Sequence, residues 1–183
     1  AYDIVRRVAQ YFPENSSRLS TVLELAIRTK NYEDIEGFYR VFTAIQERSE
    51  KLIRHMCSAL AVTGKHYLRS KVQSRAVDLF DKTVVSSAGR VDFYVYVIRA
   101  LVEFGMVSEA RRAFARFPEH LRYTEEYFTM DLLVSSLDLP PIELVKKGRD
   151  ALDKGAANPT VYRILMENTR KMCFKYAAET LRS

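Results

Sequence analysis

Residues 91–117, VDFYVYVIRALVEFGMVSEARRAFARF, decide the fold. Tyr94, Val97, Ile98 and Leu101 fall at i, i+3, i+4 and i+7, one apolar stripe down a helix, before Gly105 interrupts the pattern. A second stripe, Val107, Ala110, Ala113, Phe114 and Phe117, follows at the same period. The Gly105-Met106 break is too short for anything but a fold-back, so the stretch predicts an antiparallel helical hairpin. Ala100, Ala110 and Ala113 supply the small residues that a close helix approach requires.

A lone hairpin cannot bury both of its faces, and the rest of the chain supplies neighbours. Tyr94 and Gly105 stand eleven apart with Ala110 five further on, and Tyr162, Cys173 and Ala178 repeat that spacing. Tyr94 and Tyr162 are 68 residues apart, twice 34, with Tyr127 and Phe128 halfway and Leu139-Pro140-Pro141 in place of the glycine turn. A period near 34 marks stacked helix-turn-helix repeats. The expected fold is all-α, a right-handed superhelical array (α-solenoid) of about five antiparallel pairs forming one domain over residues 1–183. The expected units are 18–48, 49–90, 91–122, 123–157 and 158–183. The expected core is Tyr94, Val97, Ile98, Leu101, Ala110, Phe114, Tyr162, Leu165 and Ala178.

Earlier in the chain the same signals recur less regularly. Ile4, Val5, Val8 and Phe12 mark a short amphipathic helix before Pro13. Ser20 reads as an N-cap, with Val22, Leu23, Ala26 and Ile27 as a stripe and Asn31 at the turn. Ser49 or Glu50 opens the next pair, whose stripe is Ile53, Met56, Cys57 and Leu60. Gly64, eleven from Ile53, reads as its turn, but the expected alanine arrives about seven residues late, at Ala76. The excess falls in residues 65–74, KHYLRSKVQS, an elongated turn or an extension of the second helix. Pro140-Pro141 suits a first helical turn, where no amide donor is lost, and Gly155 closes the helix that follows.

The Tyr94 unit resembles a pentatricopeptide repeat: tyrosine near the helix start, hydrophobic residues three and four on, a glycine turn, then Ser108-Glu109-Ala110-Arg111-Arg112-Ala113-Phe114. Asn158-Pro159 ahead of Val161-Tyr162 is similar to the pair that precedes that family's first helix. The tetratricopeptide pattern fits less well, since its usual tryptophan is missing. The resemblance implies an RNA-associated protein of a mitochondrion or other organelle, acting in RNA processing, editing, translation or ribosome assembly within a larger ribonucleoprotein complex. The alternative is a tetratricopeptide-like scaffold for protein–protein interaction. In a sequence-reading member, the residue after the helix-start tyrosine and the last residue of the repeat are small polar types that bond a base edge. Here those places hold Val95 with Tyr123 or Thr124, Phe128 or Thr129 with Asn158, and Arg54 with Arg90, which disfavours base-by-base reading.

Charge points to a polyanion independently of the resemblance. Residues 51–91 carry eight Lys or Arg against Asp78 and Asp81, an excess equal to the formal +6 of the whole chain. Phosphate contacts are the natural complement of such a field, the alternative being a solvated helix pair whose basic side chains meet an acidic partner protein. The expected RNA-binding residues are Arg54, Lys65, Arg69, Lys71, Arg75 and Arg90, with His66 and Tyr67 as stacking candidates.

Catalysis finds no footing in the sequence. It lacks a P-loop, a dinucleotide-binding glycine pattern, a nucleophile elbow and a His-Glu-x-x-His zinc signature, and His55, His66 and His120 are scattered. No enzyme, cofactor, metal or small-molecule substrate is therefore expected. Cys57 and Cys173 sit far apart inside helical patterns and read as buried packing residues. No apolar run approaches the roughly 20 residues of a membrane helix, so a soluble chain without a membrane partner is expected. The chain opens on Ala1 within a helical pattern, from which a preceding targeting segment is an expectation.

Overall fold

The computed structural model describes residues 6–7 and 16–180, with side chains of the longer stretch described over 17–175. The helix expected near Ile4, Val8 and Phe12 and the side chain of Ala178 lie outside the described residues. Every regular element among the described residues is helical: α1 (Ser16–Arg28), α2 (Ile35–Ala44), α3 (Glu50–Arg69), α4 (Gln73–Ser86), α5 (Val91–Glu103), α6 (Val107–Ala115), α7 (Glu125–Ser135), α8 (Pro141–Asp153) and α9 (Pro159–Thr180), with short 3-10 turns at Tyr32–Asp34 and Glu119–Leu121. The all-α reading holds.

The chain divides into two compact units, Ala1–Phe93 and Tyr94–Ser183. In the first, α3 packs on α4 and also receives α1 and α2. In the second, α7 contacts α6, α8 and α9, and α8 packs on α9. Within each unit the first helix of one pair therefore touches the first helix of the next, α1 on α3 and α7 on α9.

One backbone device ends α1, α3, α5 and α8. In each, the amide of a residue at positive φ donates to the carbonyl three residues earlier while its successor's amide donates to the carbonyl five residues earlier, as in Met106 N to Leu101 O at 2.9 Å and Ala156 N to Ala151 O at 2.9 Å. Gly105 (φ 68°) and Gly155 (φ 89°) occupy that position as expected. Lys30 and Lys71 occupy it in the first unit, so the turn recurs there without its glycine signature. The α8 start also matches expectation, with Pro140 at the cap and Pro141 in the first turn.

Four local expectations are corrected. Ser20 is no N-cap: α1 begins at Ser16, and Ser20 is buried with its Oγ 2.6 Å from His55 Nδ1 on α3. Gly64 is no turn but a buried residue of α3, and the extra residues lengthen α3, the first helix of its pair, to twenty residues. Nor does Cys173 mark a turn, because α9 runs unbroken past it to Thr180, and Cys173 is exposed rather than packed. The α9 core stripe is shifted: Val161, Ile164 and Asn168 are buried, whereas Tyr162 is 48% exposed and Leu165 only half-buried. Tyr94, Val97, Ile98, Leu101 and Ala110 are buried as expected, and Phe114 is half-buried, ringed by Phe117 and Tyr127.

Gly64 and Gly148 are both contact glycines, and they predict opposite outcomes. A Cβ at Gly64 would meet Phe80 Cε1 at 2.7 Å, and that ring is enclosed. At Gly148 it would meet Leu165 Cδ2 at 2.6 Å and Cγ at 2.8 Å, but Leu165 is only half-buried and lines an open cleft, which gives its side chain space to shift. Alanine gains about 1 kcal/mol of helix propensity over glycine, against about 1–3 kcal/mol for overpacking. Gly64→Ala is therefore expected to lower the melting temperature, while Gly148→Ala leaves it unchanged or raises it. Equal shifts in thermal melts would reject the distinction.

Candidate nucleic-acid interface

The eight residues expected to bind RNA all belong to the first unit, where α3 separates them into two groups. At about 1.5 Å per residue, Arg54 and Arg69 lie roughly 22 Å apart along its axis. They do not form one continuous patch.

At the α3 start, Arg90 Nη1 donates to Glu50 Oε1 at 2.7 Å, and Arg54 Nη2 lies 3.9 Å from the same oxygen. Arg90 Nε is 3.8 Å from Asp92. The hydrogen bond from Arg90, then the charges of Arg90 and Arg54, hold the Glu50 carboxyl below its ordinary range. Two carboxylates thus answer two guanidiniums, leaving little field for a phosphate.

The α3–α4 turn carries the second group. Lys65, His66, Tyr67 and Arg69 sit in the last turns of α3, Lys71 is the positive-φ residue of the connection, and Arg75 lies in the first turn of α4. Cations at a helix C-terminus oppose the partial negative charge of its unpaired carbonyls. Arg69 and Lys71 are exposed and Lys65 half-buried. Arg75 is drawn inward, its Nε 2.5 Å from Glu36 Oε1 and its guanidinium 4.6 Å above the Tyr67 ring.

The stacking candidates are already stacked. His66 lies on Tyr32 with ring centroids 4.4 Å apart, and Tyr67 is 8% exposed, its phenol pushed up by burial. Tyr67 offers no open ring face to a base, which corrects its expected role.

The second unit brings together residues that the sequence flagged separately. Val95, Thr129 and Asn158 line one cleft of about 350 Å³, with Arg99, Glu125 and Thr160. Asn158 is fully engaged there: Oδ1 accepts from the amides of Thr160 and Val161 at 3.1 and 3.2 Å, while Nδ2 donates to Thr129 Oγ1 at 2.7 Å and Glu125 Oε1 at 2.8 Å. It caps α9 and ties it to α7, so base reading is not its free option.

A neighbouring cleft of about 420 Å³ is lined by Arg99, Glu103, Ser136, Arg163, Asn168 and Lys171, among others. Arg99 borders both clefts and lies 3.4 Å from Thr160 Oγ1. Sequence reasoning missed these cations because it weighed local charge excess, and this region is balanced by its glutamates. The 34-residue ruler does reach Arg163, which follows Tyr162 as Val95 follows Tyr94.

Cys57 is buried, and desolvation first, with the Asp92 charge second, pushes its thiol up to about 12. It is inert at neutral pH. No helix among the described residues is long and apolar enough to cross a membrane. No protein-family model matches the chain and no curated protein matches it significantly, so the pentatricopeptide resemblance stands on the residues quoted for it.

Proposed function

We propose that this is an RNA-associated helical-repeat protein of a mitochondrion or other organelle, its helix pairs stacked as a right-handed superhelical array. It grips RNA through phosphate contacts rather than base edges. The carrying observation is the cationic α3–α4 turn, where Lys65 and Arg69 lie in the last turns of α3 and Lys71 holds the connection that follows. Stacking of first helix on first helix within each unit supports the repeat reading. The processing, editing, translation or ribosome-assembly role follows from the family resemblance.

Backbone binding has a distinctive salt signature, because each phosphate contact to a single strand contributes about 0.7 to the slope of log affinity against log salt. Lys65→Glu/Arg69→Glu/Lys71→Glu is expected to weaken binding of unrelated single-stranded RNAs alike and to flatten that slope by about 2. Filter binding across a salt series is the measurement. Unchanged affinity and slope would remove the RNA reading. A protein-interaction scaffold is the second reading, favoured by the exposed apolar side chains of α9.

A further inference from the structure

The two clefts of the second unit meet at Arg99 and Thr160, which line both. Together they carry Arg99, Arg163 and Lys171 against Glu103, Glu125, Glu126 and Glu167. A groove with more carboxylates than cations is a poor bed for a polyanion, because a strand passing Arg99 enters a cleft lined by a pair of glutamates on either side. Among the described residues no aromatic ring lines either cleft, so the stacking platform used by single-stranded nucleic acid is missing as well.

A single anion is better served. Arg99 Nη2 donates to Thr160 Oγ1 at 3.4 Å, which places its guanidinium at the start of α9. Arg163 follows Thr160 by three residues, the spacing that makes neighbours on a helix surface. Arg163 Nη1 lies 3.3 Å from Glu167 Oε1, but both side chains are more than half exposed, and an exposed pair of this kind contributes little and yields to a better-placed anion. Two guanidinium forks at one end of a cleft match the planar, bidentate geometry of a carboxylate.

Beside that cationic end the larger cleft is apolar. Val102, Leu133 and Ile164 line it, with Leu133 and Ile164 buried. Asn168, 4% exposed, joins the same wall, its Nδ2 donating to Ile164 O at 2.7 Å. Glu167 and Lys171, one and two turns beyond Arg163 on α9, offer an acceptor and a donor to backbone amides and carbonyls. The volume, about 420 Å³, falls within the roughly 300–1,000 Å³ of small-ligand sites, room for the end of an extended chain. One negative charge a residue's width from an aliphatic group, followed by amides, is the chemistry of a polypeptide C-terminus.

We propose that this cleft captures the C-terminal residue of a partner chain, its carboxylate held by Arg99 and Arg163 and its aliphatic side chain seated on Val102, Leu133 and Ile164. The inference goes beyond the RNA reading and does not depend on it, since it involves none of the cations at the α3–α4 turn.

The test selects random peptides displayed with free carboxyl ends on the immobilised full chain, then measures the enriched peptides as synthetic fluorescein conjugates by fluorescence polarisation. Val, Leu or Ile is expected at the last position. Replacing the terminal carboxylate by a carboxamide should weaken binding at least about 10-fold, the scale of a lost charge-assisted hydrogen bond. Arg99→Gln/Arg163→Gln should weaken it equally with helical circular dichroism and melting unchanged, because both side chains are exposed. Lys65→Glu/Arg69→Glu/Lys71→Glu should bind the peptides as the unmodified chain does, whatever becomes of its RNA affinity. Failure to enrich any peptide, enrichment without an aliphatic end residue, or affinity that survives amidation or the double variant would overturn the proposal. A single-stranded RNA that displaces the peptide and itself loses affinity in Arg99→Gln/Arg163→Gln would overturn it too, giving the cleft to nucleic acid.

Discussion

Phe80→Ala is expected to destabilise the first unit by about 3–5 kcal/mol, the range for emptying a buried aromatic site. Phe80 is 2% exposed on α4 and lies over Gly64 of α3, where there is no side chain to lean into the space the ring vacates. The cost of a cavity depends on how far its walls relax, and a glycine wall on a helix relaxes little. Urea denaturation followed by far-UV circular dichroism measures the loss. A midpoint like that of the unmodified protein would reject the α3–α4 contact. The two sites are also coupled: in the Phe80→Ala background, Gly64→Ala should turn from destabilising to stabilising, since its methyl then enters empty space.

Ile98→Ala and Leu132→Ala should each cost about 2–5 kcal/mol, whereas Met166→Ala, at the equivalent position one repeat on, should stay within about 0.5 kcal/mol. Both buried residues are 0% exposed and Met166 is largely in solvent. All three belong to the second unit, so the comparison holds the background constant. Denaturation curves for the three variants decide it. A Met166 variant as damaging as the other two would mean that the α9 face is covered in the isolated chain.

How much of this was legible beforehand can be argued from single residues. Helical periodicity in residues 91–117 located α5 and α6, because burying one face imposes a 3.6-residue pattern whatever the neighbours are. The 34-residue spacing survived, since every pair must span about the same thickness of stack. Gly105, Gly155 and Pro140-Pro141 were readable because their backbone requirements are local: positive φ in two cases, a missing amide donor in the other.

The basic cluster was legible only as composition. Arg75 meets Glu36, 39 residues away, and Arg90 meets Glu50, 40 away, so linear charge counting could not reveal which cations were already matched. Asn158 reaches back to Thr129 and Glu125 in the same way, leaving its side chain occupied at a place the repeat ruler marks for ligand contact.

By itself the sequence determined an all-helical chain, the period of its pairs and the turns that local backbone chemistry enforces. Only tertiary structure decided that Gly64 is a contact and Gly105 a turn, because the same missing Cβ serves either a close approach or a positive φ. Likewise, only packing left Met166 and Tyr162 exposed where Ile98 and Tyr94 are buried: equal side chains at equal spacing bury equally only when a neighbour covers them.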